Sequence, residues 1–555
     1  MANHDSKTDR HSGAVAEAKT SAQIIARHLA VMGCKHAFGM PGGEVLILLD
    51  ALREAGIEFT LCKHENAAGY MAEGSWQATG APGILLTTIG PGLSNAINSV
   101  ANALQEQVPL IVLSGCIDPA EAEQYTHQVV DQSALMAPVT KAQFKVARGT
   151  AAQVIQKALA MAVADPPGPV HVDLPVGLAA EPAEDIAISA RVAGGGGWPD
   201  EATLKGAAAH LAKAQKPIIL AGLGALHHGA GAAITALAQA RDIPVITTYK
   251  AKGVMDEADP LCLGGHGLSP LSDTRVLPLL KSSDCVLLAG YDPIEMRGGW
   301  TRPWAADSAI ELSHADVCHG MHGSYLRVVG DISDLVSALH AALPDPTPTW
   351  PDGAPQAARR ALKSDFSGLG QGPDHWGPHA VFRTLQAVVP EGAVITADSG
   401  AHRILLTQMW QCTRPRELLQ SAAFCTMGVA VPLAIGHAIA APETPVIAVV
   451  GDAGFDMSPG DLATLRDTGL PVIIIVLVDD SLALIEKKQK GMQLPRHGVL
   501  FPPTDIPAVA RAYGGHGAEV SDARNLEKEL AEARMRNTFS VICCRIDKNE
   551  YSTAF

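Results

Sequence analysis

The stretch GDAGFDMSPGDLATLRDTGLPVIIIVLVDDS, residues 451–481, places acidic residues directly after two apolar runs. The run PVIAVVG is followed by Asp452, and the run PVIIIVLV is followed by Asp479. Short apolar runs of this kind predict buried strands, and parallel sheets bind ligands beyond the carboxyl ends of their strands. We therefore expect both carboxylates to reach one crevice. Neighbouring carboxylates repel each other, and hard oxygen ligands suit Mg²⁺ or Ca²⁺.

Small residues surround the first of these carboxylates. Gly451, Ala453 and Gly454 form a predicted loop ahead of DMSPGDLATLRDTG (456–469), which has the pattern of a helix. Backbone N–H groups at the start of a helix bind phosphate, so the stretch predicts a site for a metal ion and a diphosphate. A strand-capping Asp followed by a solvated acidic turn explains the same residues, and the stretch alone leaves both readings open.

Composition narrows the classes of function. The chain has 555 residues, 47% of them hydrophobic, and a net charge of −15. A chain of this length is expected to form about three domains. The negative charge argues against nucleic acid, which needs clustered Lys and Arg, and against an anionic membrane surface.

The cysteines and the N-terminus indicate the compartment. The 10 cysteines are scattered without a CxxC pair, which predicts neither a disulfide framework nor a cysteine-based zinc site. The N-terminal stretch MANHDSKTDRHSG has no apolar signal core, and no apolar run has the length of a membrane helix. We expect a cytoplasmic protein.

Strand patterns alternate with helical patterns along most of the chain. GILLTTIG (83–90) and PVHVDLP (169–175) have the character of strands, whereas QIIARHLAVMG (23–33) has that of a helix. The alternation predicts an α/β protein with parallel sheets flanked by helices. A glycine cluster at 193–200 and a Pro-rich stretch at 344–356 mark the boundaries. The predicted division is a disordered tail (1–19), an N-terminal domain (20–190), a central Rossmann-like domain (200–343), a linker (344–376) and a C-terminal domain (377–555).

Several separate segments resemble one family. The stretch 451–481 resembles the metal–diphosphate motif of thiamine diphosphate (ThDP) enzymes, which begins GDG and ends NN. Segments that resemble the acetolactate synthase-like group of this family are FGMPGG (38–43), KHENAAGY (63–70), TTIGPGLSN (87–95), QYTHQVVDQ (124–132), TADSGAHR (396–403) and TMGVAVPLAIG (426–436). The chain is therefore identified as a ThDP-dependent, acetolactate synthase-like protein, and it is also similar to benzaldehyde lyase.

The resemblance implies a fold and a metal site. It implies an N-terminal domain that binds the pyrimidine of ThDP, a Rossmann-like central domain and a C-terminal domain that binds the diphosphate. The implied Mg²⁺ ligands are Asp452, Asp479 and the carbonyl of Ser481. Two positions depart from the motif, because Ala453 replaces a glycine and Asp479 replaces an asparagine. An aspartate still binds Mg²⁺, but it adds a negative charge beside a diphosphate.

The resemblance also assigns catalytic and cofactor-binding residues. Glu65 would hydrogen-bond to the aminopyrimidine ring, so that the cofactor's own amino nitrogen acts as the base, and Gln128 would lie near the reacting centre. Met427 matches an apolar wedge that bends the cofactor, His402 a diphosphate contact, and Gly92 a close backbone approach to the pyrimidine. Taken alone, Glu65 is explained as a charge at a helix N-terminus and Gln128 as a surface-loop residue. Met427 is likewise explained as a core residue and His402 as a lone histidine. The other implied cofactor-binding positions are Pro41, Gly42, Gly400, Gly451, Ala453, Gly454, Leu482 and Ile485.

The central block is less similar to the family. GLGALHHG (222–229) follows a strand and resembles a dinucleotide loop, but such a loop is a weak signal. Segments 291–297 and 310–314 depart from the sequences that hold FAD in related enzymes, so the resemblance disfavours FAD and leaves it open. The arginine that would bind a 2-oxo acid carboxylate is missing or shifted to Arg297. Lys488 replaces a large aromatic residue, and Glu44 is an unusual polar residue near the reacting centre.

The resemblance implies the reaction and leaves its substrates open. The function favoured is that of a ThDP- and Mg²⁺-dependent 2-oxo acid decarboxylase and carboligase, acetolactate synthase-like, which forms or breaks a C–C bond through a ThDP-bound enamine. The alternatives are a benzaldehyde lyase-like acyloin lyase without FAD, an FAD-linked 2-oxo acid oxidase, and a non-catalytic subunit of this fold. The expected partners are a small 2-oxo acid and an aldehyde or ketone acceptor, with active sites between the chains of a homodimer or homotetramer.

Overall fold

Three parallel sheets organise the molecule. The computed structural model describes residues 19–124, 126–186, 199–316, 320–346, 348–367 and 375–553. The strands of these residues form three six-stranded sheets, in which the paired strands are parallel and helices cover the faces. The predicted α/β class with three consecutive sheets is confirmed. No helix in the described part of the chain is long and apolar enough to cross a membrane.

The N-terminal sheet has the strand order β2-β1-β3-β4-β6-β5. Its strands are β1 (His36–Met40), β2 (Glu58–Leu61), β3 (Gly83–Thr87), β4 (Leu110–Cys116), β5 (Ala142–Lys145) and β6 (Pro169–Pro175). Its helices are α1 (Ser21–Val31), α2 (Leu46–Glu54), α3 (Glu65–Thr79), α4 (Pro91–Asn95), α5 (Ile97–Gln105), α6 (Pro119–Ala122), α7 (Gln132–Met136), α8 (Ala151–Val163) and α9 (Val176–Ala179). Short 3₁₀ turns occur at Gly43–Val45 and Ala137–Val139.

The central sheet has a different order, β12-β11-β10-β7-β8-β9. Its strands are β7 (Pro217–Ala221), β8 (Val245–Thr248), β9 (Cys262–His266), β10 (Cys285–Ala289), β11 (Ala309–Ser313) and β12 (Leu326–Val329). Its helices are α10 (Glu201–Lys213), α11 (Leu223–His227), α12 (Gly231–Arg241), α13 (Pro270–Ser282) and α14 (Ile332–Ala342), with 3₁₀ turns at Pro293–Glu295, Gly298–Trp300 and Ala306–Ser308.

The C-terminal sheet repeats the order of the N-terminal sheet, as β14-β13-β15-β16-β18-β17. Its strands are β13 (Val394–Ala397), β14 (Leu418–Gln420), β15 (Val446–Gly451), β16 (Ile473–Val478), β17 (His516–Val520) and β18 (Ser540–Arg545). Helix α15 (Ala354–Ser367) precedes this sheet, and its own helices are α16 (Pro378–Val388), α17 (Ala401–Met409), α18 (Ala430–Ala440), α19 (Asp452–Phe455), α20 (Asp461–Thr468), α21 (Ala483–Gly491), α22 (Ile506–Ala512) and α23 (Ala523–Ala533). A final 3₁₀ turn spans Lys548–Thr553.

Helices α3 and α18 join the N-terminal and C-terminal domains. A Cβ at Gly74 of α3 would overlap the carbonyl oxygen of Leu433, and a Cβ at Gly436 of α18 would overlap that of Met71. The two helices therefore approach through reciprocal glycines, which leave no room for a side chain between the backbones. Apolar residues of both domains, with Met71 and Ala434 among them, belong to one continuous buried cluster.

The structure differs from the sequence-based expectations at several points. The predicted loop around Ala453 is a helical turn, α19, and the predicted helix at 456–469 is reduced to α20. The predicted linker 344–376 carries the 14-residue helix α15. Most of the predicted tail (1–19) and of the glycine cluster (193–200) lies outside the described residues, so the domain boundaries stay a prediction. The described cysteines are unpaired.

Candidate functional site

Two carboxylates meet at the carboxyl ends of neighbouring strands. Strands β15 and β16 pair in parallel, with Gly451 opposite Leu477, so Asp452 and Asp479 follow adjacent strand ends. One oxygen of Asp452, Oδ2, accepts the backbone N–H groups of Asp479 and Asp480 at 3.0 and 2.7 Å. Asp479 Oδ1 in turn accepts the backbone N–H of Ser481 at 3.1 Å. Asp452 thus holds the turn that carries the other two predicted metal ligands.

This proximity disturbs the ionisation of both carboxyls. Burial, together with the charge of Asp452, raises the pKa of Asp479 to about 8. Burial also raises the pKa of Asp452, although backbone N–H groups oppose the shift. Two buried carboxylates side by side are unfavourable without a cation. A divalent cation bound by their oxygens would remove this repulsion, so the donor set fits Mg²⁺.

His402 lies beside the first strand end. A Cβ at Gly451 would lie 3.3 Å from the Cε1 atom of His402. The imidazole is buried, and its Nε2 atom has no hydrogen-bond partner among the described residues. Burial lowers the pKa of His402 to about 3. A neutral imidazole with an unsatisfied nitrogen beside Gly451 fits a hydrogen bond to a bound group, such as a diphosphate oxygen.

Asp398 supports the same corner and was not predicted as a site residue. Its carboxylate accepts the backbone N–H groups of Gly428, Val429 and Ala430 at 3.0, 2.8 and 3.3 Å, at the start of α18. A Cβ at Gly454 would overlap its Oδ2 atom. Burial raises the pKa of Asp398 to about 6 despite these hydrogen bonds. Asp398 follows β13 directly, so the strand-end rule that selected Asp452 could have found it.

A second group of predicted residues lies at the N-terminal sheet. Glu65 is the first residue of α3 and is buried. Its Oε2 atom accepts the side-chain amide of Asn95 at 3.1 Å. A Cβ at Gly92 would lie 3.2 Å from its Oε1 atom and 2.8 Å from the Cγ2 atom of Thr88. The absence of a side chain at Gly92 therefore lets its backbone pack closely against Glu65 and Thr88.

Thr88 connects this group to Glu44. The Thr88 hydroxyl donates to Glu44 Oε2 at 2.6 Å, and a Cβ at Gly42 would overlap the Thr88 Oγ1 atom. Gly42 thus lies against Thr88. Thr88 also lies between the half-buried Glu44 and Gly92. Pro41 immediately follows β1 and precedes Gly42.

Gln128 lies in the loop before α7. Its side chain is exposed, its φ is 60°, and its carbonyl oxygen lies 2.7 Å from a Cβ built at Gly90. The buried Gln132 makes the polar contacts in this region. It accepts the backbone N–H of Gly90 at 3.0 Å and donates to Asp173 Oδ1 at 2.5 Å. Sequence reasoning missed Gln132, because nothing in the sequence shows which Gln of QYTHQVVDQ is buried.

The start of α21 is attached next to the acidic pair. The hydroxyl of Ser481 donates to Glu486 Oε2 at 2.6 Å, and Lys548 Nζ donates to the same oxygen at 2.8 Å. Leu482, which caps α21, is half-buried. Ile485 and Lys488 are exposed in this chain, so their predicted positions at the pocket require a further surface to cover them.

The predicted residues thus fall into two groups within one chain. No hydrogen bond or ion pair between described residues joins the Glu65 group to Asp452, Asp479 or His402. Met427 is half-buried before α18, and Gly400 precedes α17 at the end of the β13 turn. In the central domain, Arg297 Nε donates to Asp273 Oδ2 at 3.1 Å.

Comparison with protein families finds one family along the chain. Residues 19–135 match the thiamine pyrophosphate enzyme, N-terminal TPP binding domain. Residues 204–339 match the central domain of the same family, and residues 398–544 match its C-terminal TPP binding domain. The three matches follow the order of the three sheets.

Characterised relatives match the chain over most of its length. It is 28% identical to the acetolactate synthase isozyme 3 large subunit of Escherichia coli, over 93% of this chain and 92% of that protein. It is also 28% identical to the probable 2-ketoarginine decarboxylase of Pseudomonas aeruginosa, over 92% and 91%. The acetolactate synthase of Bacillus subtilis shows 28% identity over 92% and 90%.

Proposed function

Because this chain belongs to the thiamine pyrophosphate enzyme family and is an acetolactate synthase-like ThDP-dependent enzyme, we propose that it is a Mg²⁺-dependent decarboxylase and carboligase of a 2-oxo acid. The observation that carries the proposal is the presence, in one chain, of the paired carboxylates Asp452 and Asp479 and of the buried Glu65. The pair Asp452 and Asp479 suits a metal–diphosphate group, and the buried Glu65 suits a nitrogen heterocycle. When bound, ThDP supplies a carbon nucleophile that adds to the ketone carbon of the substrate and accepts the electrons released with CO₂.

The C-terminal group would hold the charged end of the cofactor. Asp452, Asp479 and the carbonyl of Ser481 bind Mg²⁺, and His402 Nε2 donates to a diphosphate oxygen. Support comes from the turn held by Asp452, from the raised pKa of Asp479 and from the unsatisfied imidazole nitrogen. Gly451, Ala453 and Gly454 place backbone N–H groups of α19 at the same strand end.

The N-terminal group would act on the ring. Glu65 hydrogen-bonds to the aminopyrimidine, and Asn95 orients the carboxylate by its 3.1 Å hydrogen bond. The Gly92 backbone, which packs against Glu65, would approach the ring closely, and the half-buried Met427 would contact the cofactor. Gln128 belongs to the loop that covers the reacting centre.

We propose that the active site forms between two chains. The Glu65 group and the Asp452 group have no direct hydrogen bond within one chain, and both Ile485 and Lys488 are exposed there. A second copy that brings its N-terminal domain to the C-terminal domain of the first would unite the two groups and cover α21. A homodimer is the smallest assembly that does so, and a tetramer would contain two such pairs.

A cavity beside Glu44 favours a second candidate substrate. It has a volume of about 480 Å³, and its lining residues are Gly43, Glu44, Ile117, Glu121, Gln124 and Val176. Two of these residues are acidic and none is basic. A cationic 2-oxo acid, such as the one named for the Pseudomonas relative, would be attracted to this cavity, whereas pyruvate would gain nothing from it.

Product analysis by NMR tests the proposed reaction. The protein is incubated with ThDP, Mg²⁺ and either pyruvate, pyruvate with benzaldehyde, benzoin, or 2-ketoarginine. Acetolactate or a mixed acyloin supports the carboligase, and cleaved benzoin supports a benzaldehyde lyase-like activity. A kcat/KM for loss of CO₂ from 2-ketoarginine that exceeds the kcat/KM for pyruvate supports the second candidate, and Glu44→Gln should then reduce this preference.

Two controls separate the remaining alternatives. Absence of turnover with every substrate, while ThDP binding is measured in the same sample, contradicts the catalytic proposal and favours a non-catalytic subunit. Flavin absorbance in the purified protein, together with O₂ uptake during turnover, favours the FAD-linked oxidase.

A further inference from the structure

Three polar side chains from distant parts of the sequence converge outside the proposed active site. The Oδ2 atom of Asp165 lies 3.3 Å from His228 Nε2 and 3.2 Å from His314 Nε2. The two imidazole rings stack with centroids 4.1 Å apart and planes inclined by 20°. One ligand atom from each side chain lies within 4.8 Å of the others. The two nitrogens thus face one carboxylate oxygen.

The cluster joins two domains. Asp165 lies between α8 and β6 of the N-terminal domain, His228 immediately follows α11, and His314 immediately follows β11. Strands β7 and β11 are parallel members of the central sheet, and α11 begins just after β7. His228 and His314 therefore lie at the carboxyl edge of that sheet, where α/β folds bind their ligands.

Asp331 fixes the orientation of His228. Its Oδ2 atom lies 3.3 Å from His228 Nδ1, at the start of α14. When the Nδ1–H donates to Asp331, the lone pair of Nε2 points at Asp165 in the neutral imidazole. A carboxylate that holds the far nitrogen of a histidine is the usual support of a metal-bound imidazole.

The distances match a tetrahedral metal site. Zinc ligands lie about 2.0–2.1 Å from the ion, which puts two ligand atoms of a tetrahedron about 3.3–3.4 Å apart. The two nitrogen–oxygen distances, 3.3 and 3.2 Å, agree with this spacing. Because the two imidazole planes are stacked and only 20° from parallel, binding one ion requires the rings to turn toward each other at Nε2. Asp165 and Asp331 outweigh burial and raise the pKa of His228, so in the metal-free protein a proton on Nε2 bridges the pair, and a cation would replace that proton.

We propose that Asp165, His228 and His314 bind a divalent transition-metal ion that clips the N-terminal domain to the central domain. Two imidazoles and one carboxylate favour Zn²⁺, Co²⁺ or Ni²⁺ over Mg²⁺. The site thereby differs in chemistry from the oxygen ligands of Asp452 and Asp479. Three protein ligands leave the fourth position to water, and the three side chains are 13–24% exposed, so the ion can enter from solvent.

Two further titratable groups, Lys141 and His227, lie near the cluster. Lys141, whose charge acts on Asp165, donates to the carbonyl oxygens of Met161 and Ala164, each at 2.6 Å. His227 packs edge-on against Trp76 of the N-terminal domain, with centroids 5.8 Å apart, and its buried Nε2 atom has no hydrogen-bond partner among the described residues. The competing arrangement is a proton on each imidazole, with Asp165 as a shared counter-ion.

A cobalt titration distinguishes metal binding from protonation. The holoenzyme is stripped of transition metals with a chelator, reloaded with ThDP and excess Mg²⁺, and titrated with Co²⁺ at pH 7.5. The expected result is one equivalent with the intense visible absorption of tetrahedral Co²⁺, and a rise in Tm. Octahedral Co²⁺ at the Mg²⁺ site absorbs only weakly, and Asp452→Asn should leave the intense bands in place.

Variants of the cluster complete the test. His314→Gln should weaken Co²⁺ binding at least about 100-fold, and Asp331→Asn, which leaves all three ligands in place, about 10-fold. His516→Gln is the matched control, because His516 pairs with Glu529 at 3.2 Å far along the chain and should change nothing. Absence of tetrahedral bands in the wild type, or equal bands in His314→Gln, overturns the proposal. A Tm raised by acid but not by Co²⁺ or Zn²⁺ assigns the cluster to protonated histidines instead.

Discussion

The N-terminal and C-terminal sheets have the same strand order, but different residues follow their equivalent strands. In the C-terminal sheet, Asp398, Asp452 and Asp479 follow β13, β15 and β16, three neighbouring strands. At the equivalent ends of β1, β3 and β4, the N-terminal sheet has Pro41, Thr88 and Ile117. At the N-terminal edge the carboxylates come from other positions, because Glu44 lies in the turn after β1 and Glu65 begins α3, after the outer strand β2. One architecture thus provides an acidic edge with three strand-end carboxylates, suited to a cation, and an edge without strand-end carboxylates, suited to a ring.

The helices that follow β2 and β14 extend the comparison. Gly74 of α3 and Gly436 of α18 occupy equivalent positions, since each contacts a carbonyl of the other helix. Glu65 lies nine residues before Gly74, and Met427, just ahead of α18, lies nine residues before Gly436. Equivalent places in the two domains therefore hold the two side chains that are proposed to act on the cofactor from opposite halves of a site.

The largest effect is expected from the acidic edge. Asp452→Asn removes one proposed Mg²⁺ ligand charge and weakens the acceptor that holds the turn at Asp479, so the affinity for Mg²⁺ with ThDP should fall at least about 100-fold. Tryptophan fluorescence during a ThDP titration measures this affinity. The exposed neighbour Asp456→Asn is the control. Equal affinities in the two variants would remove Asp452 from the metal site.

At the N-terminal edge, we expect a substitution of Glu65 to change kcat without changing the affinity for ThDP. Glu65→Gln keeps the shape of the side chain but loses its acid–base capacity, so kcat should fall by about 10²–10⁴. The affinity for ThDP should stay within a few-fold of the wild type. Glu73→Gln, further along the same helix, is the control for activity. A kcat that survives the change at Glu65 contradicts the proposed division of roles between the two sheets.

The helix contact between the two domains predicts a loss of stability. Gly436→Ala places a methyl group against the carbonyl of Met71 and should lower the free energy of unfolding by about 3 kcal/mol. Gly206→Ala is the matched control, because a Cβ at Gly206 in helix α10 meets no atom within 4 Å. This change should be neutral or stabilising by about 0.5–1 kcal/mol. Thermal unfolding measures both, and equal Tm values would show that the helices do not need the glycines.

The smallest effect concerns a difference between the equivalent helices. Glu73 of α3 corresponds to Ile435 of α18, and burial raises the pKa of Glu73 to about 7 from its ordinary 4.5. As the pH rises, Glu73 loses its proton in the unfolded chain near pH 4.5 but in the folded protein only near pH 7. The stabilisation of the folded state that is present below pH 4.5 is therefore lost as the pH rises toward 7, and it stays lost at higher pH. Glu73→Gln should therefore raise Tm relative to the wild type at pH 8, and by much less at pH 5. A difference that is independent of pH contradicts this assignment.

The sequence predicted the sheets better than the contacts between them. Apolar runs located β15 and β16 and placed Asp452 and Asp479 at neighbouring strand ends, because strand period and buried length are local properties. Short or outer strands such as β14 and β17 were missed, since they lack a long apolar run. Helix α15 was mistaken for linker because the Pro-rich residues before it dominate the composition. Most of the Pro residues precede Ala354, Pro355 lies in the first turn of the helix, where proline is tolerated, and QAARRALK (356–363) consists of helix formers.

The remaining features depend on tertiary structure. The overlap of Gly454 with Asp398 and the burial of Gln132 become visible only when distant segments are placed together. The same holds for Asp165, His228 and His314, whose separation in sequence has no metal-motif spacing. Cysteine counting excluded a zinc site made of thiolates, and it carries no information about one made of imidazoles.

The reciprocal glycine contact has a consequence for dividing the gene. The sequence presents three similar blocks separated by composition breaks, which suggests modules that can be exchanged. Yet Met71 and Ala434 belong to one apolar cluster, and the backbones of α3 and α18 touch where no side chain fits. A block transplanted from a relative would meet a foreign backbone at that line, so productive chimaeras must exchange the first and third blocks together.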